Sequence, residues 1–175
     1  MKTRQMTFNT YLLALLALLA AAALDCKSPD ASSPPSDKAA TLRLHLEVNP
    51  DGTDRNGPVP IYRAHPVQVN VEKNPFLHEG SITHASIVEE QGSFAIAVQF
   101  GHEGAMVLEN ISTVYKGKHV AIFSQFGDAR WLAAPTMSRQ ITDGLLVFTP
   151  DATREESERI VRGLNYVAAK LKNKK

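Results

Sequence analysis

A change of hydrophobic period at Gly101 constrains this chain more than any other feature. Before it, Phe94, Ile96, Val98 and Phe100 alternate with smaller or polar residues, the pattern of a strand with one buried face. After it, Ala105, Leu108, Ile111 and Tyr115 recur at helical spacing. Lys116-Gly117-Lys118 then stops the helix, because glycine enters the left-handed region without a Cβ penalty. Val120, Ile122 and Phe123 begin another strand. Strand, helix and strand in direct succession require a sheet with a helix laid on it.

The flanking sequence extends that layer. Leu42, Leu44, Leu46 and Val48 share one face of an amphipathic strand, opposite Arg43, His45 and Glu47. Residues 50–60 read as a polar loop with Asp51-Gly52 and Asn56-Gly57 turns, and 61–63 as a short strand. Val67, Val69 and Val71 alternate in a second clear strand, ended by Asn74-Pro75, and it is expected to pair antiparallel with the first. A turn and a strand follow around 83–89, and Glu89-Glu90-Gln91-Gly92 reads as a solvated hairpin connection. Phe126-Gly127-Asp128 reads as a second hairpin turn. On the strand after it, Trp131 is read as a packing residue, with a contact anchor as the minority alternative. Leu145–Phe148 is a short buried strand. Thr153 and Glu156 have the spacing of a capping box that opens a final helix. Ile160, Leu164, Val167, Ala168 and Leu171 form its apolar stripe, and Lys170 and Lys172 lie near its negative end. The expected fold class is α+β: an antiparallel or mixed sheet with two helices, near 102–115 and 153–171, packed on one face.

The order of these pieces resembles the head subdomain of the first periplasmic domain of SecD and SecDF, accessory subunits of the bacterial protein-export channel. The matching residues are Phe100, Ala105, Thr113, Gly117, Lys118, Ala121, Ile122, Ala134, Pro135, Ile141 and Gly144. The resemblance covers roughly residues 60–170, from Ile61-Tyr62-Arg63 and Asn74-Pro75-Phe76-Leu77 to the last helix. One departure stands out. The family has a second glycine a few residues after the Ile-x-x-Gly turn, where this chain has Leu145 to Pro150.

The N-terminus carries an address. Lys2 and Arg4 precede an unbroken apolar run from Tyr11 to Leu24, which is short for a bilayer span. Cys26, the sole cysteine, follows directly and excludes an internal disulfide. Residues 1–25 are therefore read as a lipoprotein-type signal peptide, with Cys26 as the lipidated new N-terminus. Asp25 departs from the small residue usual before that cysteine. Cleavage after Ala23 is the alternative reading, and retention as an uncleaved anchor the third. Residues 26–40 are Ser/Pro-rich with no large apolar side chain, and read as a disordered tether. Residues 41–175 are the head-like domain.

Few function classes remain. A net charge of +1 points to no nucleic acid. His45, His65, His78, His84, His102 and His119 include no i, i+4 pair around a glutamate, and no nucleophile elbow or phosphate-binding glycine loop occurs. No catalytic residue, metal ligand or cofactor is therefore expected. No stretch after Leu24 is long and apolar enough to span a membrane, so the proton-coupled cycle of SecD-type proteins is not expected of this chain alone. The resemblance implies a non-enzymatic binding module on the periplasmic side of the bacterial envelope, tethered by lipid on Cys26. It would contact exported polypeptide or the Sec translocase through a groove between the sheet and the helix Glu103–Tyr115. The alternatives are an envelope lipoprotein that reuses the fold as a scaffold for an unrelated partner, and, less favoured, a small hydrolase.

Overall fold

Gly101 is extended (φ −70°, ψ 175°) and separates strand β6 (Ser93–Phe100) from helix α1 (His102–Val114), where the change of period falls. A computed structural model describes residues 38–90 and 92–173. Cys26 and the segments read as a signal peptide and as most of a tether lie outside the described residues. The remaining strands are β1 (Thr41–Leu46), β2 (Asn56–Ile61), β3 (Val67–Glu72), β4 (Leu77–His78), β5 (Ile82–Glu90), β7 (Val120–Gln125), β8 (Ala129–Ala133) and β9 (Leu145–Phe148). A 3-10 turn spans Glu79–Ser81, and helix α2 spans Arg154–Lys172.

The fold is α+β and antiparallel throughout, with three sheets where one was expected. Their strand orders are β4-β1-β7-β8, β2-β3 and β5-β6-β9. Leu42, Leu44 and Leu46 of β1 face the main core with Val120 and Ile122 of β7, where they meet Ile96, Val98 and Phe100 of β6. Leu108 of α1 and Ile160 and Leu164 of α2 close that core. Each such fully buried side chain contributes about 1.5–3 kcal/mol of transfer free energy. Among the described residues, the buried residues of both cores fall between Ala40 and Leu164.

Two pairing expectations are corrected. β3 meets the end of β1 through the Glu47–Val71 bridge, the bond from Val48 N–H to the Asn70 carbonyl and the His45 ring beside the Glu72 carbonyl, and its ladder is with β2. β2 occupies the segment read as a polar loop, and the strand expected at 61–63 ends at Ile61. Lys73 N–H donates to the Arg55 carbonyl, which fixes the parity of the ladder. Pro58 and Pro60, opposite Asn70 and Gln68, then sit at positions whose nitrogens point away from β3. Their missing N–H groups cost the ladder nothing, and β2 is a tolerated proline strand. This ribbon covers the outer face of the four-stranded sheet with a second core of Ile61, Val69, Val71 and Ala121, flanked by Trp131.

Helix α2 begins with the expected capping box: Glu156 N–H donates to Thr153 Oγ1 (3.2 Å), and Thr153 N–H donates to Glu156 Oε2 (2.8 Å). Its stripe buries Ile160 and Leu164, while Leu171 is exposed because the last turns overhang the sheet. Glu89, expected as part of a solvated turn, binds Arg154 with both carboxylate oxygens. That contact holds its carboxyl below the ordinary range.

Candidate functional site

The expected groove beside α1 is closed. A Cβ on Gly104 would lie 3.0 Å from Ser81 Cβ and 3.1 Å from Phe100 Cβ, so the helix sits directly on the sheet. Ser112 is fully buried; its hydroxyl donates to the Glu109 carbonyl (3.0 Å) and accepts from Ile141 N–H (2.9 Å). Tyr115, expected in the buried stripe, follows the last helical residue and is 39% exposed. The outward face of α1 carries Met106, Val107 and Val114.

The opening lies one element further on, at β9. Asp143 and Gly144 make the turn that enters this strand. Gly144 has φ 66°, and a Cβ there would lie 2.6 Å from Ala105 Cβ. The missing second glycine of the SecD pattern is thus a strand residue here: Leu145 N–H donates to Asp143 Oδ1 (3.0 Å), and β9 starts at once. Phe100 N–H donates to the Gly144 carbonyl, which fixes the parity of the β6–β9 ladder. Leu146 and Phe148 then exchange backbone bonds with Val98 and Ile96, while Leu145 and Val147 direct theirs away from β6. Among the described residues, no backbone group pairs with that outward side of Val147. A 140 Å³ cleft beside it is lined by Val147 together with Pro135, Thr136, Met137, Ser138 and Arg139. Val147 is 41% exposed.

The opposite edge of the same sheet is capped at one residue, Ala85. At β5 the ladder leaves the backbone of Ala85 pointing outward. Asn165 of α2 meets it with both ends of its amide: Ala85 N–H donates to Oδ1 and Nδ2 donates to the Ala85 carbonyl, each at 2.8 Å. On β5 a side chain therefore occupies the outward backbone of Ala85, while that of Val147 on β9 is unpaired among the described residues. Sequence reasoning found neither, since Leu145–Phe148 registers only as a buried apolar run. Which neighbour a strand lacks is a long-range fact.

The other singled-out residues do not converge. Trp131 packs edge-on to His45 (5.0 Å between centroids) and Phe123 (5.3 Å), between the sheet and the β2–β3 ribbon. His45 is nearly buried and lies within hydrogen-bond distance of the Glu72 carbonyl through Nδ1 (2.8 Å). Burial lowers its pKa, partly offset by that bond and reinforced by Arg43. Glu47 accepts from His119 N–H (2.8 Å), and its carboxylate lies 2.7 Å from His119 Nδ1. Burial raises the Glu47 pKa, but the His119 contacts outweigh it and the net shift is downward. His78 Nδ1 accepts from Gly80 N–H (3.0 Å). Among the described residues, no three His, Cys, Asp or Glu side chains are grouped to hold a metal. No helix among them is long and apolar enough to cross a membrane.

No family model matches this chain, and no curated protein matches it. Solved structures do, two of SecDF among them. One is of SecDF, described as a membrane component that enhances protein export, with 21% identity and a TM-score of 0.53 over 74% of this chain and 63% of that one. The other is of SecDF in a super-membrane-facing form, with 20% identity and a TM-score of 0.54 over 74% of this chain and 19% of that one. The chain spans under two thirds of the length of either. At this identity the likeness is one of fold: about three quarters of the chain has a SecDF-like fold.

Proposed function

We propose that this SecDF-like domain is a non-enzymatic module that binds extended stretches of exported polypeptide along the open edge of β9. It would act on the periplasmic side of the bacterial envelope, near the Sec translocase, held by lipid on Cys26. The observation that carries this reading is the unpaired outward backbone of Val147 on β9. It lies beside a cleft whose lining mixes apolar residues with Thr136, Ser138 and Arg139. An unpaired edge beside such a cleft fits a partner that brings its own backbone donors and acceptors in extended form, as an unfolded chain does. The fold likeness to an export component supports the choice of partner.

The test is Val147→Pro. The outward Val147 N–H is not used by β6, so its loss should leave the ladder intact while removing a donor from the edge. Binding of a short labelled peptide of alternating valine and threonine, followed by anisotropy, should weaken about tenfold. Unchanged binding in a folded variant would sink the edge reading. Capture of a single unrelated envelope protein by a photo-crosslinker at Val147 would favour the scaffold alternative. Mass spectrometry of the mature N-terminus should find acyl chains on Cys26; an unmodified chain beginning at Leu24 would remove the lipid tether.

A further inference from the structure

We propose that α2 presents a basic face that docks on anionic phospholipid headgroups, at the point where the tether joins the domain. The inference rests on the envelope location proposed above, though not on the β9 edge. From Arg159 to Lys175 the chain has six basic residues, Arg159, Arg162, Lys170, Lys172, Lys174 and Lys175, and no acidic one. Lys170 and Lys172 can be explained by the negative end of the helix dipole. Arg159 and Arg162 cannot, since they lie in the middle of the helix, and their side chains are 48% and 68% exposed.

The fold adds a further cation beside them. Ala40 enters the core against Gly163, where the absence of a side chain lets the Ala39–Ala40 backbone cross the helix. That crossing sets Lys38 beside Arg159, Arg162 and Tyr166 around a concave surface of 550 Å³. The acidic groups nearest these arginines are Glu155 (3.9 Å from Arg159) and Glu158 (3.8 Å from Arg162), both on the N-terminal side. Contacts of that length between exposed groups are weak and readily exchanged. Tyr166 has an apolar ring with a polar tip and carries the Lys170 ammonium 5.1 Å above it. Such a ring suits a membrane interface.

The length of chain outside the described residues argues for a bilayer as the occupant. The dozen residues from Lys27 to Lys38 reach about 40 Å at full extension. A lipid on Cys26 would hold this face within that distance of the headgroups. Several cations on one face add roughly independently at an anionic surface and lose their effect in salt.

The experiment uses residues 27–175, which include both cores. Sedimentation with vesicles of phosphatidylcholine alone is compared with an equal mixture of phosphatidylcholine and phosphatidylglycerol, at low and high salt. The parent should bind the anionic vesicles selectively and release in salt. The triple variant Lys38→Glu/Arg159→Glu/Arg162→Glu should lose at least about tenfold in partition. Arg55→Glu/Lys73→Glu/Lys116→Glu, with the same change of net charge elsewhere, should keep most of it. Equal loss in both triples would reduce the effect to net charge and overturn the proposal, as would absence of any anionic preference in the parent. If the first triple fails to fold, the glutamine series at the same positions decides by the same comparison. Peptide binding at β9 should be unchanged in all of them, so failure here leaves the polypeptide reading intact, and the reverse holds.

Discussion

Gly163→Ala sets two effects against each other. In an ordinary helix interior, alanine is more stable than glycine by about 0.8–1 kcal/mol. Here the new Cβ would lie 2.6 Å from Ala40 N, 2.7 Å from Ala40 Cβ and 3.1 Å from the Ala39 carbonyl carbon. Carbon atoms pack at about 3.5–4 Å, so the Ala39–Ala40 backbone would have to retreat by about 1 Å. It is poorly placed to do so. Thr41 follows at once and pairs with Gln125, and Ser124 Oγ donates to the Thr41 carbonyl at 2.8 Å. Overpacking costs typically about 1–3 kcal/mol, and a backbone obstacle puts this site in the upper half of that range. Subtracting the helix gain leaves a net loss of roughly 1–2 kcal/mol. For a domain of this size that lowers Tm by about 4–8 °C. Thermal unfolding of residues 27–175 by circular dichroism reads it. Ala169→Gly, at an exposed position of the same helix, measures the local propensity term alone. Ala40→Gly in the Gly163→Ala background should recover part of the loss, because it removes the Cβ contact and leaves the one to nitrogen. A rise in Tm for Gly163→Ala would refute the crossing of the tether end over α2, and with it the placement of Lys38.

Thr153→Ala should cost about 1 kcal/mol, the usual value of a lost N-cap, measured by urea unfolding; no change would mean that the capping box does not hold the start of α2. His45 gives a pH signature. Its folded pKa is lowered by burial, so its contribution is fully present above the unfolded value near 6.5 and is lost as pH falls through the folded value. The urea midpoint should therefore drop on acidification from neutral pH in the parent. It should drop less in His45→Gln, and an identical slope in both would show that His45 is not the group responsible.

Features with a local cause were legible. The alternation in β1 and β6, the Gly117 stop (φ 87°), the Gly127 hairpin (φ 111°) and the Thr153–Glu156 box each depend on residues within a turn of one another. What was misread depends on partners distant in sequence. Pro58 and Pro60 argue against a strand until the parity of the β2–β3 ladder shows their nitrogens facing away. Tyr115 continues the helical spacing, but the helix ends at Val114 and its ring is left outside. Asn165 lies within the final helix as one polar residue among several, and only the outward Ala85 backbone gives it a task. The groove expected at α1 failed for a similar reason: Gly104 and Ala105 are small, and smallness there closes the helix onto Phe100 and Gly144.

The two proposed surfaces differ in position as well as chemistry, and this allows both to be occupied at once. Helix α2 packs mainly on β5, and its Asn165 caps that strand's outer edge. The open edge belongs to β9, on the far side of β6 from β5. Strands in a sheet lie about 4.8 Å apart, so the two edges are separated by roughly 10 Å of paired backbone. A bilayer against the outward face of α2 would thus meet the β5 side of the sheet and leave Val147 accessible. On that side Asn165 occupies both backbone groups of Ala85 and so removes that residue from strand pairing, the hazard of any exposed edge.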